Sequence, residues 1–155
     1  MMPHLRLCFL LLLGAVAPLA AAPAALPSSR VLVSPMKTSI YVGSVRLTAG
    51  PFVRDGENFS TTYEAKVVPW FFWSETGKIT IKMPLADLAR LAAGQTVEFT
   101  GEASNHKHKP RTVTGRAQPA DAVSGKIKVR IGADGAELIF NGTYEFAEEK
   151  LPDRP

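Results

Sequence analysis

The densest cluster of side chains able to bind or transfer anything is Asn105-His106-Lys107-His108-Lys109. In an extended segment, histidines at i and i+2 point the same way and offer half of a metal site, with Glu102 nearest as a third ligand. The two lysines repel a cation, so the cluster reads first as a solvated hairpin tip, with His106 and His108 as weak metal candidates. A Ser-His-Asp hydrolase would have to draw its base from this same loop, and no G-x-S-x-G elbow is present. Ser34-Pro35-Met36-Lys37 and Ser104-Asn105-His106-Lys107 match S-x-x-K without the companion motifs. Gly77-Lys78 and Gly125-Lys126 lack the upstream glycine of a phosphate loop. Fourteen acids could supply a glycosidase pair, and nothing in the sequence selects two of them. The chemistry on offer is therefore binding rather than catalysis, with no cofactor. A small hydrolase with unidentified carboxylates and a purely structural envelope subunit are the alternatives.

Two other features are candidates for binding. Trp70-Phe71-Phe72-Trp73 gathers four of the 13 aromatic residues. As a strand it would send Trp70 and Phe72 to one face and Phe71 and Trp73 to the other. At least one pair must then be core, and the run reads first as core. An outward pair, with Trp70, Phe71 and Trp73 as the named candidates, is available to a sugar ring, a lipid or a partner. The second feature is charge. Residues 103–130 carry seven bases against Asp121 alone, and residues 131–155 carry six acids against two bases. Lys126, Lys128 and Arg130 form one outward row that would attract an anionic ligand or another envelope component. The competing reading is a solvated face neutralised by the acidic strand beside it. Nucleic acid is not expected, since the net charge is only +4 and export would remove the usual encounter.

Export follows from the first residues. Arg6 precedes an apolar run from Leu7 to Ala17, and small residues gather at Ala20, Ala21, Ala22 and Ala24. The run is too short to cross a bilayer, which takes about 20 apolar residues. Residues 1–24 read as a signal peptide cleaved after Ala24, or less favourably after Ala22. Cleavage would remove Cys8, the only cysteine, and with it every disulfide, thiolate nucleophile and zinc–thiolate site. The expected location is the periplasm or the outside of the cell, with no transmembrane segment left after cleavage. Asn58-Phe59-Ser60 and Asn141-Gly142-Thr143 match the glycosylation sequon and read as chance matches.

The elements that must position these residues are nearly all strands. After a linker at 25–30, a single β domain is expected over 31–146, with a flexible tail at 147–155. Ser39–Thr48 is rich in β-formers, and Phe59–Val68 alternates Tyr63, Ala65 and Val67 against Thr62, Glu64 and Lys66. Glu75-Thr76-Gly77 reads as a turn into the strand Lys78–Met83. Leu85, Leu88, Leu91 and Ala92 share one helical face, with Pro84 before them and Gly94 as a stop. This short helix would cap an open end of the β structure. Phe99-Thr100-Gly101-Glu102-Ala103 resembles Val113-Thr114-Gly115-Arg116-Ala117, and the two glycines suggest a close backbone approach. In the last hairpin, a turn centred on Ala133-Asp134 would pair Val129 with Leu138, Ile127 with Phe140 and Arg130 with Glu137. The fold class is all-β with one short helix: a compact antiparallel barrel or sandwich of about seven to eight strands, the barrel slightly preferred.

Overall fold

In the computed structural model, residues 29–147 are described. The leader, most of the linker, Cys8 and the tail beyond Ala147 lie outside them. Ten strands run in chain order: β1 Arg30–Val33, β2 Met36–Ile40, β3 Gly43–Ala49, β4 Phe52–Asp55, β5 Asn58–Val68, β6 Glu75–Lys82, β7 Val97–Asn105, β8 Pro110–Pro119, β9 Ser124–Ala133 and β10 Ala136–Ala147. The helix α1 spans Leu85–Ala92 between β6 and β7.

All pairings are antiparallel, and they close. From β5 the sheet passes through β4, β1, β10, β9, β8, β7 and β6, and β6 pairs back onto β5. The result is a closed eight-stranded barrel with extra strands, so the barrel, not the sandwich, is the architecture. β2 and β3 continue β1 and β4 beyond bends at Ser34-Pro35 and Gly50-Pro51, where the missing proline N–H interrupts the ladder. β3 then pairs with the second half of β5, and β4 pairs with its first residues.

Alternation along each strand puts apolar side chains inside. Phe140, Val97 and Val113 are 1% exposed, and Tyr63, Val67, Ile79 and Ile81 face inward as their period of two requires. The outward positions carry charge, including Lys126, Lys128 and Arg130. An apolar interior with a charged outer wall is the reverse of a barrel whose wall faces lipid. No helix among the described residues is long and apolar enough to cross a membrane.

α1 closes one end. Eight residues cannot hold a helix in water, so its stability comes from the face it buries. Leu88 and Leu91, 1% and 3% exposed, enter the barrel, each contributing about 1.5–3 kcal/mol by burial. Pro84 precedes the first turn, and Gly94, at φ +82°, ends the helix.

Several local expectations need correction. Ser39–Thr48 is not one strand: the chain reverses at Tyr41-Val42, and β2 pairs with β3. Gly43 permits this, because a Cβ there would meet the Val68 carbonyl oxygen of β5. Glu75-Thr76-Gly77 is strand, not turn. Gly77 is there because the Ser104 backbone of β7 passes where its Cβ would stand. The last hairpin keeps the expected faces but shifts by two residues: Val129 pairs with Phe140, Ile127 with Gly142 and Arg130 with Ile139. The turn is Asp134-Gly135, both at positive φ (48° and 82°), a geometry that Asp-Gly favours in two-residue hairpins. Arg130 reaches Glu137 diagonally, at 3.4 Å.

Candidate functional site at the open end of the barrel

The strand directions sort the loops into two sets. Those at 56–57, 83–96 and 120–123 lie with α1. Those at 41–42, 69–74, 106–109 and 134–135 lie at the opposite, open end. The two most chemically distinctive segments of the sequence, the aromatic run and the two-histidine loop, are therefore brought to the same end.

The aromatic run is not a strand and not core. After Pro69 the chain forms a 3-10 turn over Phe71–Trp73, and none of its residues is buried. Trp70, Phe71, Phe72 and Trp73 are 40%, 79%, 62% and 56% exposed, which overturns the reading of this run as core. Four rings in six residues cannot alternate faces once the backbone coils, so they pack on one another instead. Centroid separations run from 5.4 to 6.0 Å, with the Phe72–Trp73 pair edge-to-face at 74°. The Trp70 Nε1–H donates to the Val42 carbonyl at 3.1 Å, tying the cluster to the β2–β3 turn. The Ser74 hydroxyl accepts from the Val67 N–H at 2.9 Å, fixing its other end.

Beneath the aromatics lies an ion-pair network on the inner wall. Glu75 accepts from the Tyr63 hydroxyl at 2.9 Å, from Asn105 Nδ2 at 2.9 Å and from Arg111 at 3.0 Å. Arg111, with only 6% of its side chain exposed, also holds Asp134 at 3.1 Å. Asn105 turns the histidine loop, its Oδ1 accepting from the N–H groups of Lys107 and Lys109. Burial alone would raise the Glu75 carboxyl, but hydrogen bonds from Arg111, Asn105 and Tyr63 outweigh it and hold the group below the usual carboxylate range. Burial and the bond to Glu75 push the Tyr63 hydroxyl up, and the Arg111 guanidinium draws Asp134 down. No buried side-chain nitrogen or oxygen among the described residues lacks a partner. Both carboxylates serve one guanidinium, which leaves neither as a free acid or base.

Between the aromatics and this network opens a cleft of about 460 Å3. Phe72, Trp73, Val45 and Val67 are among its apolar lining, and His106, Lys107 and Lys109 of the histidine loop line it too. A separate apolar cavity of about 80 Å3 lies deeper in the barrel, and Leu47, Tyr63 and Ile131 border both spaces.

Of the residues singled out from sequence, Trp73 borders the cleft, while Trp70 and Phe71 are exposed beside it. Phe72, which the strand reading grouped with Trp70, is the one missed. Glu75 and Arg111 were also missed: they are 36 positions apart, on β6 and β8 with β7 between them, so no local spacing marks the pair. His106 and His108 sit on an exposed hairpin tip. Among the described residues no group of three potential ligands could hold a metal ion, and Glu102 lies on the outer wall paired across to Thr80 and Thr112. Lys126, Lys128 and Arg130 lie on the barrel's outer side and do not border the cleft; Arg130 is paired with Glu137, while Lys128 stands opposite Arg116.

Comparison with family models, with curated proteins and with solved structures finds no match. The site's own geometry must carry the functional argument.

Proposed function

We propose that this chain is an exported, non-enzymatic binding module, acting in the periplasm or outside the cell, that holds an amphiphilic anion in the open end of its barrel. The observation that carries the reading is the cleft under Phe72 and Trp73. Its volume falls within the 300–1,000 Å3 usual for small-molecule sites, and its walls are largely apolar with a few convergent polar groups. The 80 Å3 interior cavity is far below that range, so the ligand belongs in the mouth. The apolar part would lie along Phe72, Trp73, Val45 and Val67, and its acidic head would meet His106 and Lys109 of the histidine loop.

A hydrolase at this end is disfavoured because Glu75 and Asp134 are both committed to Arg111. A second reading rests on the outer wall. Among the described residues Lys126 and Lys128 are exposed without an ion pair, while Arg116, opposite Lys128 on β8, is held by Glu98 at 2.8 Å. An anionic envelope component would fit that face.

Calorimetric titration with dodecanoate, below the concentration at which it forms micelles, tests the first reading. One saturable site is expected. Phe72→Ser should remove it without lowering Tm, and Lys109→Gln should weaken it about fivefold. No saturable heat, or equal binding by Phe72→Ser, overturns the proposal. N-terminal sequencing of the mature chain tests export, with Ala25 expected as the first residue.

A further inference from the structure

Beyond a ligand in the mouth, the outside of the same end carries an arrangement that a ligand site does not require. Tyr41 is fully exposed at the β2–β3 turn, Val42 is 49% exposed, and the Trp70–Trp73 cluster stands beside them. These residues form one apolar tip, held together by the Trp70–Val42 hydrogen bond and by ring–ring packing. Exposed apolar surface of this extent marks a place where something docks.

Charge on the adjoining wall says what that is. Lys37, Arg46 and Lys66 stand directly opposite one another on β2, β3 and β5, all on the outer face. Like charges so placed repel, and a sheet has no internal reason to carry three. Lys66 has Glu64 at 3.4 Å, but Lys37 and Arg46 make no ion pair or hydrogen bond among the described residues. Of the carboxylates at this end, Glu75, Asp134 and Glu137 are each held by an arginine and Glu64 by Lys66. The row crosses β5 two residues before Val68, about 7 Å along the strand from the base of the tip. Lys107 on the histidine loop adds basic charge at the same end, where Lys109 lies 3.9 Å from Asp134.

We infer that this end of the barrel docks onto an anionic lipid bilayer. The tip of Tyr41, Val42 and Trp70–Trp73 enters the boundary between headgroups and acyl chains, where tryptophan and tyrosine are favoured. Interfacial segments sink about 5–10 Å, which sets Lys37, Arg46 and Lys66 at the level of the lipid phosphates. A symmetric dimer through the same surface would bring two such basic rows face to face, so a second copy is the poorer occupant.

The chain's only two tryptophans, Trp70 and Trp73, both lie in the tip, so intrinsic tryptophan fluorescence reports this end of the barrel, with Trp73 also bordering the cleft. Full-length mature protein is mixed with phosphatidylcholine vesicles with and without phosphatidylglycerol. With the anionic lipid, emission should move to shorter wavelength, be quenched by lipid brominated in its acyl chains, and recover as salt is raised. Lys37→Gln with Arg46→Gln should weaken partition about 25-fold, since each basic residue near an anionic leaflet contributes about a factor of five. Tyr41→Ser with Phe71→Ser should abolish the spectral shift. These four side chains are exposed and do not border the cleft, so dodecanoate binding should persist in both variants and separates failure of docking from failure of the ligand reading. Equal partition into neutral vesicles, absence of binding to either, or a shift that appears on raising protein concentration without lipid overturns the inference.

Discussion

Replacing Glu75 by glutamine tests how the open end is held together. The carboxylate has 19% of its side chain exposed, and it accepts hydrogen bonds from Tyr63, Asn105 and Arg111. The amide keeps the shape but loses the charge, and it turns a donor towards groups that are themselves donors. Removing one partner of a buried ion pair costs about 3–5 kcal/mol, because the other charge is left uncompensated. Arg111 would keep Asp134, so the lower end applies, about 3 kcal/mol. In a domain of about 120 residues this lowers Tm by roughly 10 °C. The effect has a pH signature. Glu75 and Asp134 both have carboxyls held below their ordinary range in the folded state. Their contribution is therefore present above the unfolded value, about pH 4, and is lost as pH falls through the folded value. Thermal melts of wild type and Glu75→Gln, followed by circular dichroism, should differ most near neutral pH and converge in acid. The double variant Glu75→Leu with Arg111→Met should melt above Glu75→Gln, since it leaves no buried charge without a partner. A Glu75→Gln protein melting within about 2 °C of wild type at neutral pH would refute the reasoning.

Other consequences follow from single contacts. Leu88→Ala, emptying the space α1 fills, should cost about 2–5 kcal/mol and lower the urea midpoint at an unchanged m-value. Trp73→Ser should leave stability within about 0.5 kcal/mol, because the ring is exposed, while abolishing dodecanoate binding by calorimetry. Gly115→Ala would drive a Cβ into the Phe99 ring, and overpacking of that kind should cost about 1–3 kcal/mol in a chemical melt. Gly135→Ala, at φ +82° in the β9–β10 turn, should cost about 1–2 kcal/mol without altering ligand or vesicle binding.

The β character was legible wherever one face of a strand is dry and the other wet. β5 and β9 show that period plainly, and α1 shows the helical one. What misled were short signals with two physical meanings. Gly77 looks like turn chemistry, yet it is a strand glycine that lets β7 approach. Trp70–Trp73 is apolar enough to be core, but after Pro69 the chain has no strand partner and the rings pack on each other in solvent. The two-residue slip in the last hairpin arose from centring the turn on Ala133-Asp134 instead of Asp134-Gly135, where both residues take positive φ. Parity survived that slip, so the faces were right while the partners were wrong. The Glu75–Arg111–Asp134 network was invisible for a different reason. Its members lie on β6, on β8 and in the β9–β10 turn, and no local spacing encodes contacts that the register of several successive hairpins creates.

The central claim is that the cleft under Phe72 and Trp73 holds an amphiphilic anion. Native mass spectrometry of the mature protein, purified gently from the envelope fraction of its own cells, tests it most directly. The account predicts a retained small molecule, bearing an acidic group on an apolar body, that is absent from the Phe72→Ser protein prepared in the same way. A bare, folded chain, or a ligand retained equally by Phe72→Ser, would contradict it.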